Sequence, residues 1–458
     1  MAMRETSPGA PGLRLSPLFL GLQVLLLALA VSRYDATSFV FRGTSAIDFF
    51  NWFWRHRFLS FLSFFDLLIG ALLGLTLLGV AASGRWRRRP FDSLIYALVL
   101  LVVVSSVIRF LHRDVEDSLQ GFLFQLRNYA YFAAAYVVAS RLAWTPRRTF
   151  WLAGFLTALA GLAALLSWWE ISHTPPPLLV SKYGRPVNVR DISDYPLTFL
   201  FQFFALALLL ERVPMRRWQK ALVLAVVAYS LYGVFSGVGK GVLVVYPAVF
   251  FYFAWHYRFF GRRWFVAGLA SLLVLVTGLG AYVVLNADRF DPGSPFYVYT
   301  TFSSRDLSVS TRGVELLNFA SNLYERKALL LGIGLGNKWF SYWPQPEEDL
   351  GAFPPPEWGS DWHLGMHVPL LRLTLDFGLL GLGAVLALFA ACFLSTMRAL
   401  RSGGFDGVAR AFMLSSWAVI GYQITVNNLS GPKTNLIAGV LLGVVAGILS
   451  ERSTSETG

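Results

Sequence analysis

The stretch from Phe91 to Arg109 reads FDSLIYALVLLVVVSSVIR, and it decides the fold class. Between Asp92 and Arg109 it contains no charged residue, and Leu, Ile and Val dominate. About 20 apolar residues in an α-helix are long enough to cross the hydrocarbon core of a bilayer. The stretch therefore predicts a transmembrane helix.

Apolar runs of this kind recur along the whole chain of 458 residues. Hydrophobic residues make up 55% and charged residues only 14%, against about 25% charged in an average soluble domain. We predict about twelve spans, at 17–32, 59–83, 91–109, 121–140, 150–168, 196–210, 221–237, 241–256, 264–285, 367–395, 409–426 and 434–450. The composition predicts an all-α polytopic membrane protein and excludes a disordered chain.

The basic residues that give the net charge of +13 are grouped in five short loops, each two spans from the next. The members are Arg85 and Arg87–Arg89; Arg141, Arg147 and Arg148; Arg212, Arg216, Arg217 and Lys220; Arg258, Arg262 and Arg263; Arg398, Arg401 and Arg410. The positive-inside rule places this face in the cytoplasm, together with both termini. Basic loops of a membrane protein account for the positive net charge, so the charge does not indicate a nucleic-acid partner. The single cysteine, Cys392, excludes a disulfide framework and a Cys-rich metal site.

The opposite face carries the longest loop, residues 286–366, and this loop divides the chain. We predict a membrane domain at 1–285 with helices 1–9, a loop subdomain at 286–366, helices 10–12 at 367–450, and a disordered cytoplasmic tail at 451–458. Within the loop, apolar residues at helical spacing predict a helix over Thr311–Leu331.

Cationic side chains on the face opposite the basic loops indicate a site for an anion. The candidates are Arg127 in the fourth span, Arg190 in the loop 169–195, Arg305 and Arg312 in the long loop, and Lys240 in the turn Ser236–Gly241. Guanidinium groups match phosphate oxygens in bidentate geometry. Each arginine also fits a helix-end side chain that reaches water or a structural ion pair. The turn at Lys240 equally fits a tight hairpin that needs glycine.

Three residues at the end of the long loop are candidates for proton transfer. His367 precedes the tenth span and suits a general base, with His363 or Asp361 assisting. A histidine that is only hydrogen-bonded at the interface is the alternative. His363 and His367 are four residues apart, but a metal site would have only Asp361 as a third ligand, and we predict none. Asp66, inside the second span, predicts a pairing with a neighbouring helix.

Three stretches together resemble one family: the turn Ser236–Gly241, which lies where the family often has Ser-Arg-Gly, and two longer stretches. The first of the longer stretches is Thr311-Arg312-Gly-Val-Glu-Leu-Leu-Asn, followed by Ala328–Phe340 with Gly332, Gly334 and Gly336. The second runs from His367 through Asp376-Phe-Gly378-Leu-Leu-Gly381. The ordered combination of arginine, glycines, histidine and DFGLLG resembles the O-antigen ligase/polymerase superfamily of bacterial membrane glycosyltransferases. Val368 replaces the asparagine that is usual there, and Lys240 stands where arginine is common.

The resemblance implies transfer of a glycan from an undecaprenyl-diphosphate carrier at the periplasmic face of the bacterial inner membrane. The acceptor would be another lipid-linked glycan (polymerase) or lipid A–core (ligase), with neither metal nor cofactor. Polymerase is slightly favoured because the ligase-like His-Asn pair is missing. Arg312 and Arg190 would bind the diphosphate, with Arg305, Arg127 and Lys240 in support, and His367 would be the base.

The resemblance also implies partners and leaves alternatives open. Membrane lipid and a chain-length regulator protein are the expected partners, and nucleic acid is not. A transporter that flips a lipid-linked glycan is the alternative, although such proteins usually bind near the bilayer midplane. A glycosyltransferase that uses an acidic pair in its first external loop is another, but Asp35 and Asp48 lie in no recognisable motif.

Overall fold

The protein is mostly helical in the computed structural model, which describes residues 17–32, 57–58, 62–83, 88–111, 119–156, 158, 196–225, 228, 240–258, 307–342, 362–363, 369–425 and 432–456. The helices are α1 (Pro17–Ser32), α2 (Phe64–Ser83), α3 (Asp92–Leu111), α4 (Leu119–Arg141), α5 (Pro196–Leu210), α6 (Lys240–Tyr257), α7 (Leu307–Glu325), α8 (Pro369–Ser402), α9 (Gly407–Thr425) and α10 (Pro432–Glu456). Residues 146–156 and 217–225 are also helical. Two short antiparallel hairpins pair β1 (Arg57–Phe58) with β2 (Leu62–Ser63), and β3 (Trp339–Phe340) with β4 (Trp362–His363).

Four of the described helices are long and apolar enough to cross a membrane: Phe65–Ala82, Asp92–Leu111, Leu370–Ser402 and Thr434–Glu451. Described helical residues fall in every predicted run except 264–285, which lies outside the described residues. The prediction of an all-α protein with apolar helices is therefore confirmed in part: the described chain is mostly helical, and four helices have the length and composition of membrane spans.

The most buried of these spans, α10, packs along α4 at very close range. Gly439 and Gly443 of α10 face α4, and Gly447, four residues further on, faces Trp144 just beyond the end of α4. A Cβ built on Gly439 would overlap the Phe132 carbonyl oxygen, and one on Gly443 would lie 2.7 Å from the Ala139 Cβ. Small residues at this spacing let membrane helices approach until their backbones touch.

Helix ends that carry the predicted cytoplasmic basic residues contact one another. Arg141, at the end of α4, forms two hydrogen bonds with Asp92, at the start of α3, at 3.2 and 2.8 Å. At the ends of other helices, Arg410 pairs with Glu211 at 3.0 Å, and Tyr257 donates to the same carboxylate at 2.8 Å. These contacts join residues that lie in or next to the predicted basic loops.

Helix α7 covers the predicted loop helix with different limits: it starts four residues before Thr311 and ends six before Leu331. Its end is fixed by Lys327, which has φ of 51°. The Ala328 amide donates to the Leu323 carbonyl at 2.8 Å, and the Lys327 amide donates to the Tyr324 carbonyl at 3.0 Å. This pair of bonds around a left-handed residue is a Schellman motif, which terminates a helix. Apolar periodicity does not encode that stop.

Candidate functional site

The glycine loop, residues 332–336, leads from α7 towards β3 and docks against α8. Gly332, Gly334 and Gly336 all have positive φ, at 78°, 92° and 77°. A Cβ on Gly332 would lie 2.5 Å from the Leu375 carbonyl oxygen, and the Ile333 amide donates to that same oxygen at 2.7 Å. Only glycine combines this backbone conformation with so close an approach.

Helix α8 is broken where the glycine loop meets it. Gly378 has φ of 68° and ψ of −178°, so the helix is interrupted between Phe377 and Leu379. The amides of Leu379 and Leu380 donate to the carbonyl oxygens of Leu329 and Leu330, at 2.9 and 3.2 Å. The turn before the glycine loop thus satisfies amides that the break releases. We call this contact between the loop and α8 the loop–helix junction.

The glycine loop also contacts the end of α3. The Leu335 amide donates to the Ser105 carbonyl at 3.3 Å, and the Leu335 side chain belongs to the main hydrophobic core. A Cβ on Gly334 would overlap the backbone nitrogen of Arg109. The Ser105 hydroxyl, in turn, donates to the backbone carbonyl of Asp376. The loop is therefore held between α3 and α8.

A buried charge cluster lies within this junction and consists of Arg109, Asn337, Arg372 and Asp376. Arg372 donates to both carboxylate oxygens of Asp376, at 3.2 and 2.7 Å, and the two side chains are 2% and 0% exposed. Arg372 also donates to the Asn337 backbone carbonyl at 3.4 and 3.3 Å. The Gly336 amide donates to Asp376 as well.

Arg109 brings a second guanidinium group to the cluster. Its Nε donates to the Asn337 side-chain oxygen at 3.4 Å, and its guanidinium carbon lies 4.6 Å from the centre of the Phe122 ring. The side-chain amide of Asn337 donates to the Arg109 carbonyl at 3.3 Å and to the Ile333 carbonyl at 2.6 Å. The cluster therefore joins the end of α3 to the glycine loop and to α8 through buried polar contacts.

Helix α7 presents a buried polar face to β3. Glu315, Asn318 and Asn322 are buried on it. The Asn322 side chain donates to the Phe340 carbonyl at 2.7 Å and accepts from the Phe340 amide at 2.8 Å, as a neighbouring strand would. Asn318 donates to the Ser341 hydroxyl at 3.4 Å. These bonds fix β3 against α7, and β4 pairs with β3 in turn.

Two of the predicted catalytic residues belong to this unit of α7, β3 and β4. Arg312 lies on α7, three residues before Glu315, and helical geometry places its position on the same face. His363 lies in β4, with its Cα opposite that of Trp339. Asn322 binds Phe340, the neighbour of Trp339 in β3, so the β3–β4 pair lies beside Asn322 on α7. Arg312 is ten residues before Asn322, which is about 15 Å along the helix.

Two of the predicted diphosphate-binding residues lie on other helices. Lys240 is the first residue of α6, at the end of that helix opposite Tyr257. Arg127, on α4, pairs with Asp66 at 3.1 Å. Asp66 also accepts hydrogen bonds from Tyr131 at 2.7 Å and from the Ser63 amide at 2.6 Å. The prediction that Asp66 pairs with a neighbouring helix is confirmed, and Arg127 has a carboxylate partner within the protein.

The remaining predicted residues lie outside the described residues: His367, Asp361, Arg190 and Arg305. Sequence reasoning did not select Arg109, Asn337 or Arg372, although Asn337 and Arg372 fall inside the two longer stretches that carry the family resemblance. A signal was present in Arg372 and Asp376, which are four residues apart and form an ion pair on one face of a helix.

Within the described ranges, no group of three or more His, Cys, Asp or Glu side chains is placed to hold a metal ion. The chain matches no protein-family model and has no significant match among curated proteins.

Proposed function

We propose that the protein is a membrane glycosyltransferase that moves a glycan from undecaprenyl diphosphate to a glycan acceptor at the periplasmic face. The loop–helix junction is the observation that supports this best. The two longer stretches on which the family resemblance rests, the glycine loop and the first part of α8, are joined by backbone hydrogen bonds and buried charges. The proposal includes about twelve spans, both termini in the cytoplasm, and the loop 286–366 in the periplasm of a bacterial inner membrane.

Cationic side chains near the junction suit a diphosphate leaving group. Arg372 pairs with Asp376 in the buried charge cluster, Arg109 binds Asn337 beside that pair, and Arg312 lies on the adjacent helix α7. Preorganised cations that face developing negative charge often lower the reaction barrier more than any other single effect. Arg312 and Arg190 bind the diphosphate in this proposal, with Arg305, Arg127 and Lys240 in support.

The position of His367 in the chain suits a general base. It precedes Pro369, the first residue of α8, by two positions in the sequence. His363 or Asp361 would assist.

The transfer step follows from these roles. The acceptor hydroxyl oxygen attacks the anomeric carbon of the donor sugar, and the bond from that carbon to the diphosphate oxygen breaks. The bonding electrons leave with undecaprenyl diphosphate, and the hydroxyl proton passes to the neutral imidazole of His367. Polymerase is favoured slightly over ligase, so the acceptor is another lipid-linked glycan.

The experiment uses the full-length protein in liposomes with an undecaprenyl-diphosphate-linked repeat unit. Wild type should release undecaprenyl diphosphate and lengthen the glycan without lipid A–core. Replacement of Arg312 or His367 by Ala should lower the rate by at least about 100-fold, the effect of losing a charge-stabilising or proton-transfer group. Lys327→Gln is the matched control, since it removes an exposed cation two residues beyond the end of α7.

Three results would contradict the proposal. Strict dependence on lipid A–core would replace polymerase by ligase. Movement of the labelled donor across the bilayer with no covalent change would indicate a flippase. Near-normal transfer by a folded Arg312→Ala protein would remove Arg312 from the site.

A further inference from the structure

Three consecutive leucines, Leu329–Leu331, are exposed in the turn between α7 and the glycine loop. Leu330 is 58% exposed, and Leu380, on the adjacent part of α8, is 61% exposed. The hydrogen bonds from Leu379 and Leu380 to the turn place the two sets of leucines side by side. We call Leu329–Leu331 together with Leu379 and Leu380 the leucine patch. Soluble surfaces rarely expose large contiguous apolar areas.

Distances along α3 and α8 from the ends that carry the basic loops indicate how deep the leucine patch lies in the bilayer. Ser105, which binds the glycine loop, is thirteen residues beyond Asp92, the first residue of α3, or about 20 Å along the axis. On α8, Leu380 lies eighteen residues before Arg398, or about 27 Å. Both lengths are shorter than the hydrocarbon core of about 30 Å. The patch therefore lies inside the half of the bilayer on the loop side.

Several backbone groups of the turn meet the requirement for non-helical chain at that depth. A bilayer core offers no water to hydrogen-bond with backbone amides and carbonyls, so protein groups must satisfy them. The carbonyls of Leu329 and Leu330 accept from α8, while the Gly332 amide donates to the Ala328 carbonyl at 2.7 Å. These polar groups are bonded within the protein, while the three leucines are exposed.

In the sequence, three charged residues directly precede the turn that carries Leu329–Leu331. Glu325 and Lys327 are exposed, and Arg326 donates to the Lys338 carbonyl at 3.2 Å. The next residues are Ala328 and then Leu329–Leu331. Long charged side chains near a membrane boundary extend towards the headgroups. The step from charge to leucine therefore marks the boundary between headgroups and acyl chains.

We propose that the leucine patch inserts among the lipid acyl chains of the loop-side leaflet and anchors the loop 286–366 to the membrane surface. Acyl chains are the occupant because the patch continues the exposed apolar faces of two spans. These faces include Leu386 and Leu394 on α8 and Val103, Val107 and Phe110 on α3. The anchor sets the height of α7 above the bilayer, and it stands whether or not the protein transfers glycans.

Nitroxide labels at single cysteines test this anchor in the full-length protein. Cys392 is the only cysteine in the chain, so Cys392→Ala provides a background without thiols. Leu329→Cys and Leu330→Cys are each labelled in liposomes of phosphatidylethanolamine and phosphatidylglycerol. Collision rates are then measured with oxygen, which concentrates in acyl chains, and with a water-soluble nickel chelate.

Oxygen collisions should exceed nickel collisions at both leucines and at Leu380→Cys, which reports a lipid-facing position on α8. Glu325→Cys is the matched control, four or five residues away, where nickel collisions should dominate. Nickel collisions that dominate at Leu329 and Leu330 as they do at Glu325 would overturn the anchor. Because the measurement requires no turnover, this failure is distinguishable from failure of the proposed transferase activity.

Discussion

At the scale of single residues, the ion pair of Arg372 and Asp376 is the most consequential contact in the described region. Both side chains are buried, and each is also bonded to backbone groups of the glycine loop or of Asn337. Burial of a charge costs free energy that only close partners offset. The pair therefore makes the first turns of α8 dependent on the loop.

Loss of one partner alone should destabilise the protein strongly. We expect Arg372→Met or Asp376→Leu to lower the free energy of unfolding by about 3–5 kcal/mol, because the remaining charge stays buried without its counterion. Thermal unfolding in detergent, followed by size-exclusion chromatography, measures this. Arg398→Met, at an exposed position on the same helix, is the control and should change little.

The double variant Arg372→Met with Asp376→Leu tests whether the destabilisation comes from the unpaired charge or from the lost contacts to the loop. Replacing a buried pair by apolar residues is often neutral or stabilising, so this variant should unfold at a higher temperature than either single variant. A double variant no more stable than the two single ones would show that the contacts to Asn337 and Gly336 dominate instead.

Sequence reasoning found the apolar spans but not the partners of the buried charges. The runs 17–32 and 196–210 coincide with α1 and α5, because hydrophobic length is a property of consecutive residues. Arg127 and Asp66 are 61 positions apart, and their contact depends on how α2 packs against α4. Arg109 fits a helix-end side chain in the sequence, and its contact with Asn337 requires the glycine loop to fold back onto α3.

At the scale of elements, the break in α8 is the feature on which the loop–helix junction depends. Gly378 interrupts a helix that would otherwise run 34 residues, and the freed amides bind the turn before the glycine loop. From Leu379 to Arg398 the segment after the break is about 29 Å long, so it makes up most of a bilayer crossing without the part before the break.

Two glycines of α8 should respond oppositely to the same change. Gly378→Ala places a side chain at φ of 68°, where its Cβ would overlap the Leu330 carbonyl oxygen. It should destabilise the protein by more than about 2 kcal/mol, since the left-handed conformation alone costs about 1–2 kcal/mol. A Cβ on Gly383 meets nothing within 4 Å, so Gly383→Ala should stabilise the helix by up to about 1 kcal/mol.

Thermal unfolding of both glycine variants in the same detergent provides the measurement. Equal stability of the two variants would mean that α8 runs straight through Gly378 and that the loop–helix junction does not form. The sequence contained this glycine within DFGLLG, but only the approach of Leu330 explains why no side chain fits there.

At the scale of the whole molecule, the polar contacts separate to opposite ends of the helices. One end carries Arg141 with Asp92 and Arg410 with Glu211, and the other carries Arg127 with Asp66 and the buried charge cluster. The apolar middle of each span lies between them. The described polar contacts are thus divided between the end that carries the basic loops and the end that carries the glycine loop.

The two faces predict which cysteines an impermeant maleimide reaches from outside intact spheroplasts. In the Cys392→Ala background, Glu325→Cys should be labelled without permeabilisation, because it lies at the end of α7 in the loop opposite the basic residues. Arg147→Cys, exposed beyond the end of α4 in a basic loop, should be labelled only after permeabilisation. The positive-inside rule supplies the direction. The reverse labelling pattern would mean that the topology is inverted and that Arg312 lies in the cytoplasm, where a periplasmic donor has no access. Labelling of both cysteines from the same side would contradict the predicted alternation of loops between the two faces.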